Sequence, residues 1–433
     1  MIPSMDAAGA QRPFDRRDGK TLALSALGGA LEFYDFVVFV FFTRTLSLLF
    51  FPAGTEPWLA QLQVYGIFAA GYLARPLGGI VMAHFGDLVG RKRMFTFSVF
   101  LMSVPTLLIG MLPTHAQIGM LAPVLLLALR IVQGIAVGGE VPGAWVFVAE
   151  HVPPRRIGFA CASLTAGLTF GILIGSLLAA WINGHYSQAQ VLDGVWRWPF
   201  LIGGAFGFFA VYLRRWLHET PVFAEMRERK ALSRRLPVRE VLAHHRGAVA
   251  LSMLASWQLT AAIVVVVLMT PTLIQAAFDV PAALAFQGNS IATGCLVAGC
   301  LAFGLAVDRF GAANALLAGS LGLALCTQAL YACLAAGEPQ WFLPLYALAG
   351  FFCGVVGVVP ALMVRSFPPA IRFSGLSFSY NIAYAVFGGL TPPLLGWLAP
   401  ALGGAAPAHY VTLTALVSIG VAIYLKVARH PAR

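Results

Sequence analysis

Five ionisable side chains stand inside long apolar stretches of this 433-residue chain: Glu32, Asp35, Arg75, Arg130 and Glu140. A charge within a membrane-spanning segment is costly, and it commonly marks a proton relay or a substrate site. Glu32 and Asp35 are three residues apart, so a helix places both carboxylates on one face. A nearby arginine lowers the proton affinity of a carboxylate, and desolvation raises it. Asp35 would therefore bind a proton when Arg130 moves away and release it when Arg130 returns, with Glu32 and Glu140 as further proton-coupling candidates.

A purely structural role is the alternative for each of these charges. Asp35 and Arg130 would then neutralise each other within the helix packing. Arg75 precedes Pro76, and it fits a substrate contact and an anchor on a packing face equally well. Glu140 is either a second proton site or a hydrogen-bonding partner for a neighbouring helix. We favour proton coupling for Asp35 and Arg130, because unpaired charge within a membrane is costly.

Uncharged polar residues extend the predicted substrate site. Gln133 lies about one helical turn beyond Arg130 and would share its face. The C-terminal half carries no charge within its apolar stretches, and Asn381 in the middle of one of them needs a hydrogen-bond partner. The predicted substrate-binding residues are Arg75, Arg130, Gln133, Gln258, Tyr380, Asn381 and Tyr384.

The composition predicts a membrane protein to hold these residues. Hydrophobic residues make up 59% of the chain, charged residues 10%, and the mean hydropathy is +0.82. Soluble domains carry about 25% charged residues, so lipid must contact most of the outer surface. Helices satisfy their own backbone groups in lipid, whereas the sequence lacks the alternating stretches that build a membrane barrel. We predict an all-α membrane protein.

Twelve apolar segments, separated by glycine, proline and charged residues, are each long enough to cross a bilayer. We predict helices at 21–46, 59–84, 94–113, 118–149, 159–182, 197–217, 247–275, 284–306, 313–335, 341–364, 373–399 and 407–427. The one long hydrophilic stretch falls between the sixth and the seventh. The predicted organisation is a cytoplasmic arm (1–20), a six-helix half (21–217), a cytoplasmic linker (218–246) and a second six-helix half (247–433).

Lysine and arginine are distributed unevenly between the two sides of the predicted bundle. The net charge is +11, and 24 of the 28 basic residues follow an even-numbered helix or flank a terminus. Because cytoplasmic loops carry the basic excess of membrane proteins, we predict that both termini are cytoplasmic. The protein would then cross an inner membrane many times, in contact with its lipids. We therefore interpret the excess of lysine and arginine as a sign of membrane topology. Because this accounts for the basic charge, we expect no nucleic-acid partner.

Motifs for enzymatic chemistry are missing from the sequence. It has no Gly-Lys-Ser/Thr phosphate loop, which argues against an ATP-driven pump. The six cysteines fall in apolar segments without the spacing of metal ligands. We therefore predict a monomeric transporter rather than an enzyme. Its partners would be a small-molecule substrate and a proton, with no cofactor and no metal.

Two pairs of loops repeat between the halves. Residues 84–93 read HFGDLVGRKR after the second helix, and residues 302–311 read AFGLAVDRFG after the eighth. The ends of helices four and ten match as well, with EHVPPRRIG over 150–158 and RSFPPAIRFSG over 365–375. Such repeats are typical of transporters that bind their substrate between the two repeats.

With these loops, the motifs GALEFYDF (29–36), RPLGG (75–79) and RIVQG (130–134) make the chain resemble the major facilitator superfamily. Within it, the metabolite:proton symporter group is most similar, and HETPVF (218–223) and SYNIAYAVFGGLTP (379–392) add to the resemblance. The resemblance implies proton-driven import by alternating access. Members of this group carry citrate, 2-oxoglutarate, other carboxylic acids, shikimate, proline or betaine. Asp35 and Arg130 match the aspartate and arginine that couple proton movement in related sugar symporters.

The resemblance also implies a cytoplasmic gate. Asp87 and Arg91 belong to the first loop repeat, and we expect Glu150 to pair with the basic residues of this loop. The second half departs from the family, because its loop has lost the usual basic residues and Arg365 stands where an acid is usual. We expect Asp308 to pair with Arg365 as a replacement.

Two substrate classes fit two arginines and three carboxylates within the membrane. We predict proton-coupled import of a small organic anion, such as a di- or tricarboxylate, and a zwitterionic osmolyte or amino acid is the alternative. A proton antiporter that exports drugs or siderophores is disfavoured, because Gly167, Gly171 and Gly175 lack the Gly-Pro dipeptide typical of exporters. The presence of the coupling residues argues against a receptor that has the fold of a transporter but does not transport a substrate.

Overall fold

A computed structural model of the chain describes residues 13–52, 54–214, 216, 220, 225, 228 and 237–428. Of the predicted site residues, Glu32, Asp87 and Arg91 have side chains that lie outside this described part. Residues 1–12 and most of the 218–246 linker also lie outside it. The predictions for these residues are therefore not tested by the structure.

Twelve long helices make up most of the described residues, and no β-strand occurs among them. They are α1 (Arg16–Phe41), α2 (Pro57–Val89), α3 (Arg91–Met111), α4 (Leu121–His151), α5 (Ile157–His185), α6 (Arg197–Arg214), α7 (Arg246–Ala261, Ala262–Met269 and Thr270–Phe278), α8 (Ala282–Phe310), α9 (Ala312–Ala336), α10 (Phe342–Cys353, Gly354–Gly357 and Val358–Ser366), α11 (Arg372–Ala383, Tyr384–Gly388 and Gly389–Leu402) and α12 (Ala406–Ala428). Each overlaps one predicted segment, which confirms the all-helical fold class.

Most of these helices are long and apolar enough to cross a membrane. Within the described residues there are ten such spans, or eleven if Gln188–Val195 and Arg197–Leu213, bent by 43°, form one. The remaining helix is α11, whose apolar run is interrupted by Ser374, Ser377 and Asn381, all of them buried. Its polar side chains therefore face protein rather than lipid.

The first helix ends earlier than the sequence predicts. The segment predicted over 21–46 is divided at Phe42 into α1 and a short helix, Thr43–Phe50. The hydroxyl of Thr43 donates to the carbonyl of Val40 at 2.7 Å. A threonine that bonds its own backbone in this way competes with the helical hydrogen bonds. Hydrophobic periodicity gives no sign of this break.

Three helices of the C-terminal set contain a stretch that is not α-helical. The turns of α7 at Ala262–Met269 and of α11 at Tyr384–Gly388 are π-helical, and α10 has a 3₁₀ stretch at Gly354–Gly357. π-Helical turns concentrate at functional sites, because the extra residue redirects the side chains around it. The stretch in α11 begins at Tyr384, a predicted site residue.

The helices pack in two sets. In the first set α2 packs along α4, α1 along α5 and α3 along α6; in the second, α9 packs along α12 and α8 along α10. The sets meet where α5 contacts α8 and where α11 contacts α2 and α4. Gly134 lies against the carbonyl of Gly71, so the helices that carry Arg75 and Arg130 approach closely. Because most of the linker is undescribed, the division at 218–246 stays a prediction.

The two repeated loops have the same backbone geometry. Gly90 precedes α3 with a φ of +129°, and Gly311 precedes α9 with a φ of +86°. Glycine adopts such angles without the steric cost that a side chain adds. We call the end of the bundle that holds these two loops, together with the loops at 152–156 and 367–371, the basic end.

Candidate functional site

Three tyrosines surround the guanidinium of Arg75. Its Cζ atom lies 4.5 Å from the ring centroid of Tyr384, 5.4 Å from that of Tyr72 and 5.7 Å from that of Tyr380. All three distances are within the range of cation–π attraction. Tyr72 and Arg75 belong to α2, whereas Tyr380 and Tyr384 belong to α11. We call the three tyrosines the tyrosine box, and both sets of helices contribute to it.

Arg75 has unused hydrogen-bonding capacity although it is buried. The residue is 2% exposed, and among the described residues its Nε and Nη2 atoms have no hydrogen-bond partner. A buried donor without an acceptor costs about 1–3 kcal/mol, and more when it is charged. Buried polar groups without a partner are few in native proteins, and a role in ligand binding or catalysis is one explanation for them. This favours a substrate contact at Arg75 over a purely structural anchor.

A small cavity adjoins Arg75 between the two sets of helices. Its volume is about 10 Å³, room for about one water molecule, so the site is collapsed in this conformation. Besides Arg75, Tyr72 and Tyr384, the described residues that line it are Phe33, Val37, Val137, Ile172, Ile263 and Leu268. Arg75 is the one charged residue among these, and the other walls are aromatic or aliphatic.

Arg130 approaches Asp35 through two intervening side chains. Nη1 of Arg130 donates to Oε1 of Gln133 at 2.9 Å, and Nε2 of Gln133 donates to Oγ1 of Thr106 at 2.7 Å. Thr106 lies close to the buried Asp35 carboxylate, and its hydroxyl donates to the backbone carbonyl of Met102 at 3.0 Å. Oδ1 of Asp35 has no hydrogen-bond partner among the described residues. The predicted direct pair of Asp35 with Arg130 is thus not formed in this conformation, because Gln133 and Thr106 lie between them.

Two further helices approach the Asp35 carboxylate. A Cβ atom at Gly203 of α6 would collide with Oδ1 of Asp35, so only glycine leaves room for the carboxylate there. Glu140 is buried further along α4, near enough for its charge to act on Asp35. The predicted coupling residues Asp35, Arg130 and Glu140 therefore share one region, bounded by α1, α4 and α6.

Arg130 is held in place by aromatic rings as well as by Gln133. Its Cζ atom lies 4.4 Å from the ring centroid of Phe39 and 5.1 Å from that of Phe68. Arg75, Arg130 and Gln133 together line a second small cavity. The structure therefore brings these three predicted residues together at the contact of α2 and α4.

Two predicted substrate-binding residues form packing contacts. Nδ2 of Asn381 donates to the carbonyl of Gly138 at 2.7 Å and so joins α11 to α4. Gln258 accepts a hydrogen bond from Ser320 at 2.9 Å, between α7 and α9. Among the described residues, neither lines the two cavities at Arg75. Their contact with substrate stays a prediction.

At the basic end, Glu150 joins the two sets of helices. Oε1 of Glu150, on α4, forms an ion pair with Nη1 of Arg372, on α11, at 3.1 Å. Oε2 of Glu150 accepts a hydrogen bond from Thr220 at 2.9 Å. From the sequence we expected the basic residues of the first repeated loop to pair with Glu150. The structure shows a further partner, Arg372, which belongs to the other set of helices.

Asp308 and Arg365 also cross between the sets, but separately. The Asp308 carboxylate accepts the backbone N–H groups of Gly158 at 2.8 Å and Phe159 at 3.1 Å. These N–H groups begin α5, where the helix dipole favours negative charge. Arg365 donates to the carbonyl of Pro154 at 3.3 Å. In this conformation each of the two residues binds the backbone between Pro154 and Phe159, and the pairing of Asp308 with Arg365 stays a prediction.

Comparison with known proteins identifies the family. The family model described as Major Facilitator Superfamily matches residues 36–392. The chain belongs to this superfamily. It is 31% identical over 421 residues to the proline/betaine transporter of Salmonella typhimurium, covering 94% of this chain and 83% of that protein. It is 30% identical over 426 residues to the glycine betaine/proline/ectoine/pipecolic acid transporter OusA of Dickeya dadantii, covering 95% and 84%.

The fold is also similar to that of solved superfamily structures. It matches the proton:xylose symporter XylE bound to 6-bromo-6-deoxy-D-glucose with a TM-score of 0.78, at 18% identity and over 95% of both chains. The protein is thus a multi-pass membrane transporter of the major facilitator superfamily, and the sequence resemblance is confirmed. The cross-set contacts at the basic end show a conformation in which the two sets are closed on that side.

The sequence analysis did not identify three residues of the candidate site and the basic end, namely Tyr72, Arg372 and Thr106. Tyr72 is three residues before Arg75, and helical spacing alone could have placed it on the same face. Arg372 was counted only as a topology signal. Thr106 has no sequence signal, because its role depends on the contact of α3 with Gln133 of α4.

Proposed function

We propose that this transporter imports a zwitterionic osmolyte of the proline or betaine class together with protons, by alternating access across an inner membrane. The observation that carries the proposal is Arg75, a buried guanidinium with unused N–H groups in an otherwise aromatic and aliphatic cavity. One cation suits a ligand with one carboxylate, and ring faces suit a positively charged ammonium group. Two relatives named above are transporters of proline and betaine.

The organic-anion reading has less support at this site. A di- or tricarboxylate needs two or more cationic contacts, because uncompensated charge is costly in an apolar cavity. Arg130 is the second arginine nearby, but it already donates to Gln133 and lies over two phenylalanine rings. The named relatives also favour the zwitterion.

Asp35 supplies the proton site in this proposal. It is buried on α1 close to Thr106, and Gln133 joins the Thr106 hydroxyl to Arg130. Protonation removes its charge, so the carboxylate no longer offsets the charge of Arg130, which can then act on the substrate carboxylate. The loaded protein then reorients without uncompensated buried charge. The solved neighbour XylE is by its title a proton symporter, and this supports the same coupling here.

Orientation and assembly belong to the same proposal. Both termini and the basic end face the cytoplasm, since the basic loops gather there. Closure of the basic end then corresponds to a transporter that is sealed towards the cytoplasm. The predicted site lies within one chain, so a monomer suffices for transport.

Uptake into proteoliposomes tests the proposed function. The purified full-length protein is given labelled glycine betaine, proline, citrate or 2-oxoglutarate, with and without an acidic exterior. We expect a zwitterion to accumulate and the proton gradient to raise the accumulation, with a protonophore abolishing that rise. Accumulation of citrate or 2-oxoglutarate instead would restore the organic-anion reading. Zwitterion uptake without any response to the proton gradient would show that protons are not coupled.

A further inference from the structure

We infer that the tyrosine box receives the N-methylated ammonium group of the substrate while Arg75 binds its carboxylate. This inference rests on the proposed function, and it assigns the two charges of the zwitterion to named groups. The box already faces an organic cation, since the guanidinium of Arg75 lies within 6 Å of all three ring centroids. Ring faces that attract a guanidinium attract a quaternary ammonium through the same quadrupole.

The carboxylate contact follows from the unused donors of Arg75. Nε and Nη2 lie on the same edge of the guanidinium, and both are without a partner among the described residues. Two parallel N–H groups on one edge match the two oxygens of a carboxylate. Arg75 therefore offers a bidentate site for a carboxylate beside the ring faces.

The position of Tyr384 adds a second observation. Tyr384 begins the π-helical stretch of α11, and Tyr380 lies four residues before it. The Tyr380 and Tyr384 ring centroids are 4.8 Å apart, and Trp145 of α4 packs edge-on against Tyr380 at 5.0 Å. The irregular turn and the packed tryptophan fix the ring faces towards Arg75.

The ring spacing connects binding to movement of the helices. A cation held between two parallel rings at 4.5 Å from each, the distance of Arg75 from Tyr384, needs centroids about 9 Å apart. Tyr72 and Tyr384 are 5.9 Å apart. The substrate therefore enters when α2 and α11 separate, and its cation favours one spacing of the two sets. A ligand that stabilises one arrangement over another shifts the population between them.

A matched set of ligands separates recognition of charge from apolar packing. 3,3-Dimethylbutanoate has the shape and carboxylate of glycine betaine, with a neutral carbon in place of the nitrogen. Choline has the quaternary ammonium but no carboxylate. We expect the full-length protein to bind glycine betaine about tenfold or more tightly than either compound. Calorimetry on purified protein measures the affinities, and counterflow of labelled betaine confirms that binding leads to transport.

Variants of the box and of Arg75 assign each charge to its site. Tyr384→Leu should weaken betaine binding about tenfold and leave 3,3-dimethylbutanoate unchanged, whereas Tyr384→Phe keeps the ring and the preference. Arg75→Lys should weaken both carboxylates and leave choline unchanged, because lysine lacks the bidentate edge. Tyr72→Leu and Tyr72→Phe give the same comparison if a Tyr384 variant does not fold.

Failure of the inference is distinct from failure of the proposed function. Equal affinity for glycine betaine and 3,3-dimethylbutanoate overturns the inference, and so does an unchanged betaine preference in the leucine variants. If proline accumulates under a proton gradient and betaine does not bind, the inference fails while zwitterion import stands. If only citrate or 2-oxoglutarate accumulates, both fail.

Discussion

The two sets of helices differ in the polar groups that they bury. Six charged residues are buried in the described part of the chain, all of them before the linker: Asp18, Asp35, Arg75, Arg130, Glu140 and Glu150. The described residues of α7–α12 bury serine, threonine, asparagine, glutamine and tyrosine but no charged side chain. The buried groups of the first set can therefore change their charge by binding or releasing a proton, whereas the described part of the second set buries no charged group.

The polar residues of the second set support an irregular helix. The Tyr346 hydroxyl of α10 lies 2.7 Å from the carbonyl oxygen of Val266 and 2.8 Å from Oδ1 of Asn289, and its one proton is donated to either acceptor. Thr270 donates to the carbonyl of Val265 at 2.8 Å. Both carbonyls belong to the π-helical stretch of α7, where side chains satisfy backbone groups that a regular helix would pair. Under the proposed function, the first set therefore supplies the proton site. The second set supplies a framework of neutral polar side chains, which we call the neutral framework.

The largest expected effect is loss of accumulation in Asp35→Asn. The amide cannot release a proton, so the variant should exchange substrate between equal pools but fail to concentrate it under a proton gradient. Counterflow and gradient-driven uptake in proteoliposomes measure the two activities, and Asp193→Asn, at an exposed position, is the control. Gradient-driven accumulation by Asp35→Asn would move the proton site to Glu140 or Glu32.

The next effect is opening of the basic end in Arg372→Ala. This change removes a hydrogen-bonded ion pair with Glu150 that joins the two sets. Charge-assisted hydrogen bonds contribute about 1.5–3 kcal/mol, so we expect the ratio of closed to open protein to fall by about tenfold or more and transport to slow. Substrate binding should survive, because the contact is remote from Arg75.

Cys161 reports this opening directly. It is a buried free cysteine, and Arg365, Asp308 and Arg372 are near enough for their charges to act on it. In a background without the other five cysteines, alkylation of Cys161 should be about tenfold faster in Arg372→Ala than in the parent. Arg309→Ala is the matched control, since Arg309 is exposed and lies over its neighbour Phe310. Equal rates in the parent and Arg372→Ala would show that the ion pair does not hold this end closed.

The fold was largely predictable because lipid imposes a strong constraint on sequence. Twelve apolar segments of sufficient length give twelve helices, with ends that differ by a few residues. The break after Phe41 and the π-helical stretches of α7 and α11 could not be predicted. They depend on local hydrogen bonds, such as that of Thr43 to Val40, which leave hydrophobicity unchanged.

The charged residues of the candidate site could be predicted from the sequence. The residues that join the site only through tertiary packing could not. Arg75, Arg130 and Asp35 stood out because charge in an apolar segment is rare. The partners of Asp308 are backbone N–H groups of α5, and any sequence could supply those. Residues such as Thr106 become part of the site only through the tertiary contact that brings α3 to α4.

A smaller effect is expected from the link between Arg130 and Asp35. Thr106→Val removes the hydroxyl that accepts from Gln133, and the orientation of Gln133 and Arg130 should loosen. We expect gradient-driven accumulation to fall several-fold while counterflow continues, and Thr106→Ser to restore most of it. Unchanged accumulation in the valine variant would show that coupling does not pass through this hydroxyl.

The smallest effect is expected in the neutral framework of the second set. Tyr346→Phe removes the hydroxyl that lies between the carbonyl of Val266 and Oδ1 of Asn289 and leaves both acceptors buried. Hydrogen bonds between membrane helices average about 0.6 kcal/mol, so the melting temperature in detergent should fall by only about 1–2 °C. Tyr424→Phe, at an exposed position, is the control and should not change it. Because the second set carries no buried charge in its described part, the ratio of accumulation to exchange in Tyr346→Phe should equal that of the parent. A fall in this ratio like that of Thr106→Val would mean that the second set takes part in proton coupling through its hydrogen bonds, and the contrast between the two sets would then be one of charge alone.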